Sequence, residues 1–296
     1  MRVVSIGEIL WDVIGPNEYL GGAPFNICAQ LVRLGHEAKL VSAVGDDDRG
    51  RRARQELANL GIADEYVGTS REARTGISEI VLDDSGKATH SLPRPAAYDF
   101  VSLDAKQRER IANSNPRWFV YGTLSQMQPR GLELTGTLIS DNPKTERFYD
   151  VNLRPQSWTA DLVAHLLSLA DAVKMNDEEA QLLSGVLDLP HDPLRSFCEG
   201  LTGRMPARTV CITCGADGCA LWHEGEYVEV PGFAIEVADT VGAGDAFAAA
   251  LLHGFSENWA LADIAEFANR VGALVASRAG ATPTWTVAEA TSLAWR

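Results

Sequence analysis

From residue 117 onward the chain alternates at short intervals between β-rich apolar runs and helix-forming segments. Residues 117–121, 147–151, 172–175 and 209–213 read as strands. Residues 130–139, 160–169 and 177–183, the last ending at Gly185, read as helices between them. A further helix with loops falls within 190–206, and 218–222 and 227–230 are two more strands joined by Glu224-Gly225. Alternation on this scale implies parallel strands with covering helices. Length alone allows one large α/β domain or two ordinary ones at 296 residues, and a chain 46% hydrophobic can build a sizeable core. No repeat, low-complexity stretch or linker divides it. The reading is one α/β domain over 1–296.

The first third is less regular. Residues 3–6 read as a strand ending at Gly7-Glu8, after which Ile9-Leu10-Trp11-Asp12 runs toward Gly15-Pro16-Asn17. Asp12 is either a ligand-facing carboxylate just past a strand or a turn former before Gly-Pro. In Gly21-Gly22-Ala23-Pro24-Phe25-Asn26 two glycines and a proline mark a tight helix entry, and that helix is expected to run to Leu34 and stop at Gly35. Phe25, Cys28, Ala29 and Val32 form an apolar face, which leaves Asn26, Gln30 and Arg33 pointing off the core. An Asn in that first turn suits hydrogen bonding to sugar hydroxyls; the competing reading is an exposed helix residue. Residues 40–44 read as a buried strand, 45–50 as a charged turn whose Asp46, Asp47 and Asp48 are solvated, and 51 to about 60 as a helix. Residues 65–92 turn β-rich, with Asp83-Asp84-Ser85-Gly86 as a hairpin turn. They suggest a small antiparallel sheet inserted as a lid, with lid segments at about 11–20 and 65–98. Arg94, with a proline on each side, lies at its exit and is placed to reach into a cleft.

Charge and cysteine content narrow the function classes. A formal net charge of -14 argues against a nucleic-acid backbone or an anionic membrane surface as the main partner. The five cysteines are an odd number in a long chain and make no disulfide framework. Cys211 and Cys214 form a C-x-x-C across a strand end; the spacing admits a redox role, but buried structural thiols are the plainer reading. No run reaches transmembrane length, and the N-terminus begins directly with a strand-like run. The expectation is a reduced, soluble, cytoplasmic protein.

The chemistry concentrates in Asp239-Thr240-Val241-Gly242-Ala243-Gly244-Asp245, followed at once by the apolar run 246–252. Small residues leading into a helix make an N-terminus whose unpaired N–H groups and dipole suit a phosphate. Asp245 beside such an anion hole suggests a base that activates a hydroxyl; alone, it would read as stabilising the first helical turn. Three polar clusters fall at strand ends, where ligands bind in open parallel sheets. Asp150, Asn152 and Arg154 are spaced two apart, so an extended chain points them to one side. Asn176 with Glu179 forms a capping box, and the same residues can organise Mg²⁺ through water. Thr213-Cys214-Gly215-Ala216-Asp217-Gly218 has two glycines suited to close approach of a nucleotide phosphate. Neither a P-loop nor the usual dinucleotide fingerprint is present.

These elements, in this order, resemble the ribokinase-like (PfkB) carbohydrate kinase family over nearly the whole chain. Residues 239–245 match its D-T-x-G-A-G-D signature at every fixed position. Gly21-Gly22 with Asn26 matches its Gly-Gly…Asn sugar motif, Asn176 with Glu179 its N-x-x-E, and Thr213, Gly215 and Gly218 its T-x-G-x-x-G. The resemblance implies a ribokinase-like α/β fold, with a mostly parallel central sheet flanked by helices on both faces and a small β-sheet lid. It implies ATP-dependent phosphorylation of a sugar hydroxyl, with Asp245 as base and the Gly242, Ala243 and Gly244 amides as anion hole. Asp12, Gly21, Gly22 and Asn26 would hold the sugar, with Arg94, Asn152 and Arg154 nearby. Asn176, Thr213, Gly215, Ala216 and Gly218 would line the nucleotide site, with Asn269 near the base. Glu179 would help place Mg²⁺ through water. Asp239 and the carbonyls of Val241, Arg278 and Gly280 would hold a monovalent cation such as K⁺.

Gly7-Glu8-Ile9-Leu10-Trp11-Asp12 and the Ala96-Ala97 pair after Pro95 look most like fructokinases. A 2-keto-3-deoxygluconate kinase would need cationic groups for the substrate carboxylate, and Arg94 or Arg154 is available; a ribokinase ranks below both. Of the readings from other classes, a non-catalytic sugar or nucleotide binder has no need of Asp245, and an NAD-dependent oxidoreductase lacks its fingerprint. The expected partners are a sugar and ATP, with no nucleic acid and no membrane. The lid's edges leave monomer and lid-mediated homodimer both open.

Overall fold

Strands such as Val3-Val4-Ser5-Ile6 and Trp118-Phe119-Val120-Tyr121 are buried along their whole length, as strands of a sheet covered on both faces must be. The structure, a computed structural model, describes residues 1–82 and 88–293. The Asp83-Asp84-Ser85-Gly86 turn expected from the sequence lies outside them.

In chain order the strands are β1 (Arg2–Ile6), β2 (Leu10–Ile14), β3 (Asn17–Gly21), β4 (Glu37–Gly45), β5 (Val67–Ser70), β6 (Gly76–Leu82), β7 (Ala88–Ser91), β8 (Trp118–Gly122), β9 (Glu146–Asp150), β10 (Ala172–Asn176), β11 (Thr209–Thr213), β12 (Cys219–His223) and β13 (Glu226–Val230). Nine of them form the main sheet in the order β13-β12-β11-β10-β9-β8-β1-β4-β5. Its strands run parallel from β5 to β11, and β12 and β13 add an antiparallel edge hairpin. The sheet side chains divide by parity. Val3, Val120, Phe148 and Cys211 face helices α1 (Ala23–Arg33), α8 (Ala243–Ser256) and α9 (Leu261–Ala276). Their neighbours Tyr121, Tyr149, Val173 and Ile212 face α5 (Ala160–Leu169), α6 (Asp177–Leu187) and α7 (Leu194–Arg204). Val4, Ile6 and Phe119 meet α3 (Ala105–Asn113) and α4 (Pro129–Asp141). The expected α/β architecture with helices on both faces is what the chain adopts.

A second sheet has the order β3-β2-β6-β7. It differs from the expected lid in two ways. Val67–Ser70 does not join it but pairs in parallel with β4 at the edge of the main sheet. Leu10–Ile14 supplies a strand instead and runs parallel to β6, so the small sheet is mixed rather than antiparallel. The charged turn at 45–50 is shorter than expected, because Asp47 caps α2 (Asp48–Asn59) by accepting from Gly50 N–H. Helix α6 runs through Gly185 to Leu187, since one glycine in a helix costs only about 1 kcal/mol, and turns out of helix at left-handed Asp188. Helices α3, α9 and α10 (Val287–Ser292) had no counterpart in the sequence reading.

A candidate phosphoryl-transfer site

Gly242, the N-cap of α8, has φ 78, and a Cβ there would lie 2.3 Å from the Ala281 carbonyl oxygen. Only glycine fits, and it turns the first amides of α8 toward the end of the sheet where β10 and β11 terminate. Ala243 N–H closes the loop on Thr240 O at 3.3 Å. Two helical positions on stands Asp245, whose Oδ2 accepts from Asn26 Nδ2 at 2.8 Å. Burial pushes its carboxyl up to about 6, nearby Asp150 pushes the same way, and Lys174, the Asn26 bond and Arg154 pull it down. A carboxylate with such a pKa is ionised at neutral pH and can still accept a proton. Asn26 therefore does not point off the core. It and Gln30 are buried because α1 packs against α8, and Gln30 Oε1 accepts from Trp285 Nε1 at 2.8 Å.

The remaining sugar-motif residues gather beside that pair. Asp12 lies on β2 directly across from β3, and a Cβ on Gly21 would fall 2.4 Å from its Oδ2. Gly22, φ 108, abuts the backbone of Glu8 and caps α1. Asp12 is thus a strand residue of the small sheet, not a turn former.

On the other side of the α8 N-terminus lies a cavity of about 590 Å³. Asn176, Thr213, Gly215, Ala216, Gly218 and Asn269 line it, as does Gly244 of the loop. Asn269 Nδ2 donates to the carbonyls of Val230 and Pro231 at 3.1 and 3.3 Å, so it fixes α9 to the end of β13. The apolar wall comes from Phe233, Val237 and Phe247, and small residues of α9, Gly272, Ala273 and Ala276, keep the floor open. These wall residues were not anticipated; Phe233 and Val237 lie in a segment without secondary structure, where no periodicity marks them.

Asn176 caps α6 through Glu179 N–H at 2.7 Å, and Glu179 returns the bond to Asn176 N–H at 2.9 Å. The second Glu179 oxygen accepts from Leu153 N–H at 2.6 Å. Each oxygen accepts one backbone N–H, an arrangement compatible with contact to Mg²⁺ through water; among the described residues no group of three His, Cys, Asp or Glu could hold a metal ion. Asp239 accepts from Val241 N–H at 3.0 Å and Gly280 N–H at 3.1 Å, which brings the 239–241 and 278–280 loops together. Both Asp239 oxygens are taken up by backbone N–H groups, so a monovalent cation here would rely on the neighbouring carbonyls.

Two expectations change. Asp150, Asn152 and Arg154 do not lie on one extended segment, because Asn152 has φ 40, yet the charges of Asp150 and Arg154 both act on Asp245. Asp150 is buried and accepts from Lys174 Nζ at 3.1 Å, while Arg154 is exposed. The Arg94 guanidinium is tied to Asp99 and to the Leu124 carbonyl, over the Tyr98 ring, instead of standing free in a cleft. Sequence reading missed Lys174. It is fully enclosed between Asp150, Glu179 and Asp245, and a Cβ on Gly244 would lie 3.1 Å from its ammonium. A lone lysine inside an apolar strand was the available signal. The Cys211 and Cys214 thiols are free, and burial pushes Cys214 up to about 11, away from reactive thiolate character.

The model for the pfkB family carbohydrate kinases matches residues 2–287. Among characterised relatives, fructokinase-1 of Zea mays is 29% identical over 95% of this chain and 93% of its own, and fructokinase-1 of Oryza sativa 28% over the same shares. Among solved structures, the fructokinase of Xylella fastidiosa with bound ATP superposes with TM-score 0.87 at 25% identity, covering 99% of this chain and 97% of that one. The 2-dehydro-3-deoxygluconokinase of Thermotoga maritima shares the fold at TM-score 0.86 and 21% identity, over 99% and 98%. A glycine loop, a buried carboxylate and a Gly-Gly…Asn helix entry brought together from more than two hundred residues apart, together with a family match spanning the chain, lead to one conclusion: this protein belongs to the pfkB family of carbohydrate kinases, ATP-dependent sugar phosphotransferases.

Proposed function

We propose that the chain is a fructokinase, transferring the γ-phosphoryl group of ATP to the 6-hydroxyl of D-fructose. The observation that supports this reading is the Asn26–Asp245 hydrogen bond at the α8 N-terminus, which joins a buried carboxylate, two residues from cavity-lining Ala243, to the Gly-Gly…Asn helix. ATP would occupy that cavity, its adenine against Phe233 and the small face of α9, its phosphates toward Gly244 and Thr213. The sugar would sit by Asp12, Gly21, Gly22 and Asn26, under the small sheet. Asp245 takes the hydroxyl proton as the sugar oxygen attacks the γ-phosphorus; the bond to the β-phosphate oxygen breaks and ADP leaves. The Gly242, Ala243 and Gly244 amides offset the charge on the transferring group. Mg²⁺, placed through water by Glu179, would neutralise phosphate charge. A monovalent cation such as K⁺ held by Asp239 and the carbonyls of Val241, Arg278 and Gly280 would stiffen the loop. The chain would act as one kinase domain of 1–296, with segments near 11–20 and 65–98 closing over the sugar, in the cytoplasm, as a monomer or as a dimer through the edges of the small sheet.

A second reading, a 2-keto-3-deoxygluconate kinase, is favoured by Arg154, whose charge reaches both Glu8 and Asp245. A coupled ADP-release assay across fructose, 2-keto-3-deoxygluconate, ribose and adenosine, with Asp245→Asn as control, separates these. Equal ADP release by wild type and Asp245→Asn with every sugar removes the kinase mechanism. A strong preference for the keto acid replaces fructose as substrate.

A further inference from the structure

Glu8 follows β1 and is buried, yet its Oε2 has no hydrogen-bond partner. A buried carboxyl oxygen left without a partner is costly, and its retention calls for an explanation. Three further polar atoms at the same end of the sheet are buried and unpartnered: Asn26 Oδ1, Tyr98 OH and Gln126 Oε1. Connectivity holds them close. Glu8 packs on Gly22 at the N-terminus of α1, in whose first turn Asn26 stands, and its charge acts on Tyr98 and responds to Asp245. Gln126 bonds Ser125, which lies against Gly7. Tyr98 closes the group from the lid's exit, with its ring against Gly76 of β6. Orphans of this kind around the base describe a site built for a polyhydroxylated ligand.

We propose that Glu8 is a specificity-determining residue of the sugar site, binding a hydroxyl of a neutral sugar through Oε2 and disfavouring an anionic one. The inference rests on the reading of this site as a sugar-kinase centre. Burial pushes the Glu8 carboxyl up to about 7, against its own and the Ala23 backbone N–H groups and Arg154, so it can donate as well as accept. With Arg94 committed to Asp99 and Leu124, Arg154 is the cation acting on Glu8 and Asp245, and the three carboxyls of Glu8, Asp12 and Asp245 outnumber it against a substrate carboxylate.

The test is direct calorimetric binding of fructose and of 2-keto-3-deoxygluconate, without nucleotide, to the wild type, Glu8→Gln and Glu8→Ala, with ATP affinity and ADP release measured alongside. Losing a hydrogen bond to a buried polar partner predicts about tenfold weaker fructose binding in Glu8→Ala, a smaller loss in Glu8→Gln, and ATP affinity unchanged within about twofold. In Glu8→Gln the preference for fructose over the keto acid should shrink by about fivefold or more, a change that loss of packing alone would not give. Unchanged fructose affinity in both variants overturns the proposal, as does a parallel fall in sugar and ATP affinity, or a wild type that prefers the keto acid. Fructose binding without ADP release in the wild type would instead defeat the kinase reading and leave Glu8 judged by affinity alone.

Discussion

A carboxylate buried at the first turn of a helix is pulled two ways. Desolvation raises the Asp245 pKa to about 6, while Lys174, Asn26 and Arg154 hold it from going further. Two outcomes follow for Asp245→Asn. With Asp245 as the proposed general base, its loss should lower kcat by about 10²–10⁴-fold in the ADP-release assay. Stability should move the other way. A carboxyl whose folded pKa is raised loses stability as pH climbs from its unfolded value through about 6, and carries the full cost above that. The neutral amide escapes a cost of roughly 2–3 kcal/mol, from about two pKa units at 1.36 kcal/mol each. Its melting temperature should therefore exceed the wild type's at pH 8, with the gap closing toward pH 4. In the wild type, kcat/KM should rise with pH and level off above about 6. Lys174→Met removes the cation from between Asp150 and Asp245. Breaking a buried pair costs about 3–5 kcal/mol, and the acid limb of kcat/KM should shift upward in the same variant. A denaturant midpoint and a pH–rate profile check the two halves separately. The sequence marked Asp245 and Asn26 by their motifs, but not that one bonds the other across 219 positions. It gave Lys174 only as a charge in a strand.

Helices α2 and α8 start in opposite ways. Asp47 caps α2 from Gly50 N–H and also accepts from Thr75 N–H and Thr75 Oγ1, so one carboxylate ties α2 to the strand entering the small sheet. Asp47→Ala should cost about 1–2 kcal/mol as a lost cap, read as a drop in melting temperature, with KM for ATP unchanged. At α8 no side chain caps, and a left-handed glycine does the turning. Gly242→Ala combines a positive φ with a 2.3 Å approach to Ala281 O. It should cost about 1–3 kcal/mol in backbone strain alone and abolish measurable turnover. An active, equally stable Gly242→Ala protein would contradict this account of the loop. Legibility at this scale tracked periodicity only in part. Helix α5 was read to the residue, whereas α9 was not assigned although Asp263, Glu266 and Arg270 give it a polar face at helical spacing.

At the scale of the whole molecule, ligands that bind only the folded chain must stabilise it. ATP at about 100 times its dissociation constant should add about 2.7 kcal/mol, visible as a rise in melting temperature; absence of any rise would deny the cavity its assigned nucleotide. The small sheet joins segments that sequence order keeps apart: β2 and β3 from the start of the chain, β6 and β7 from beyond β5. Trp11 of β2 donates to Arg49 O at 3.1 Å and lies under Arg52, so the sheet is anchored on α2.

The alternation of strand and helix, the loop at 239–245, the Gly-Gly entry and the capping box at Asn176 were legible because each is local: propensity, periodicity and spacing are properties of neighbouring residues. Pairing is not local. A short β-rich run such as 67–70 carries the same pattern whether it joins the small sheet or the edge of the large one, and only the fit beside β4 decides. The enclosure of Lys174, the orphaned oxygen of Glu8 and the raised pKa of Asp245 likewise exist only once helices and strands from distant segments exclude water from the same few ångströms. Burial sets the electrostatics of this site, and burial is a property of the assembled fold.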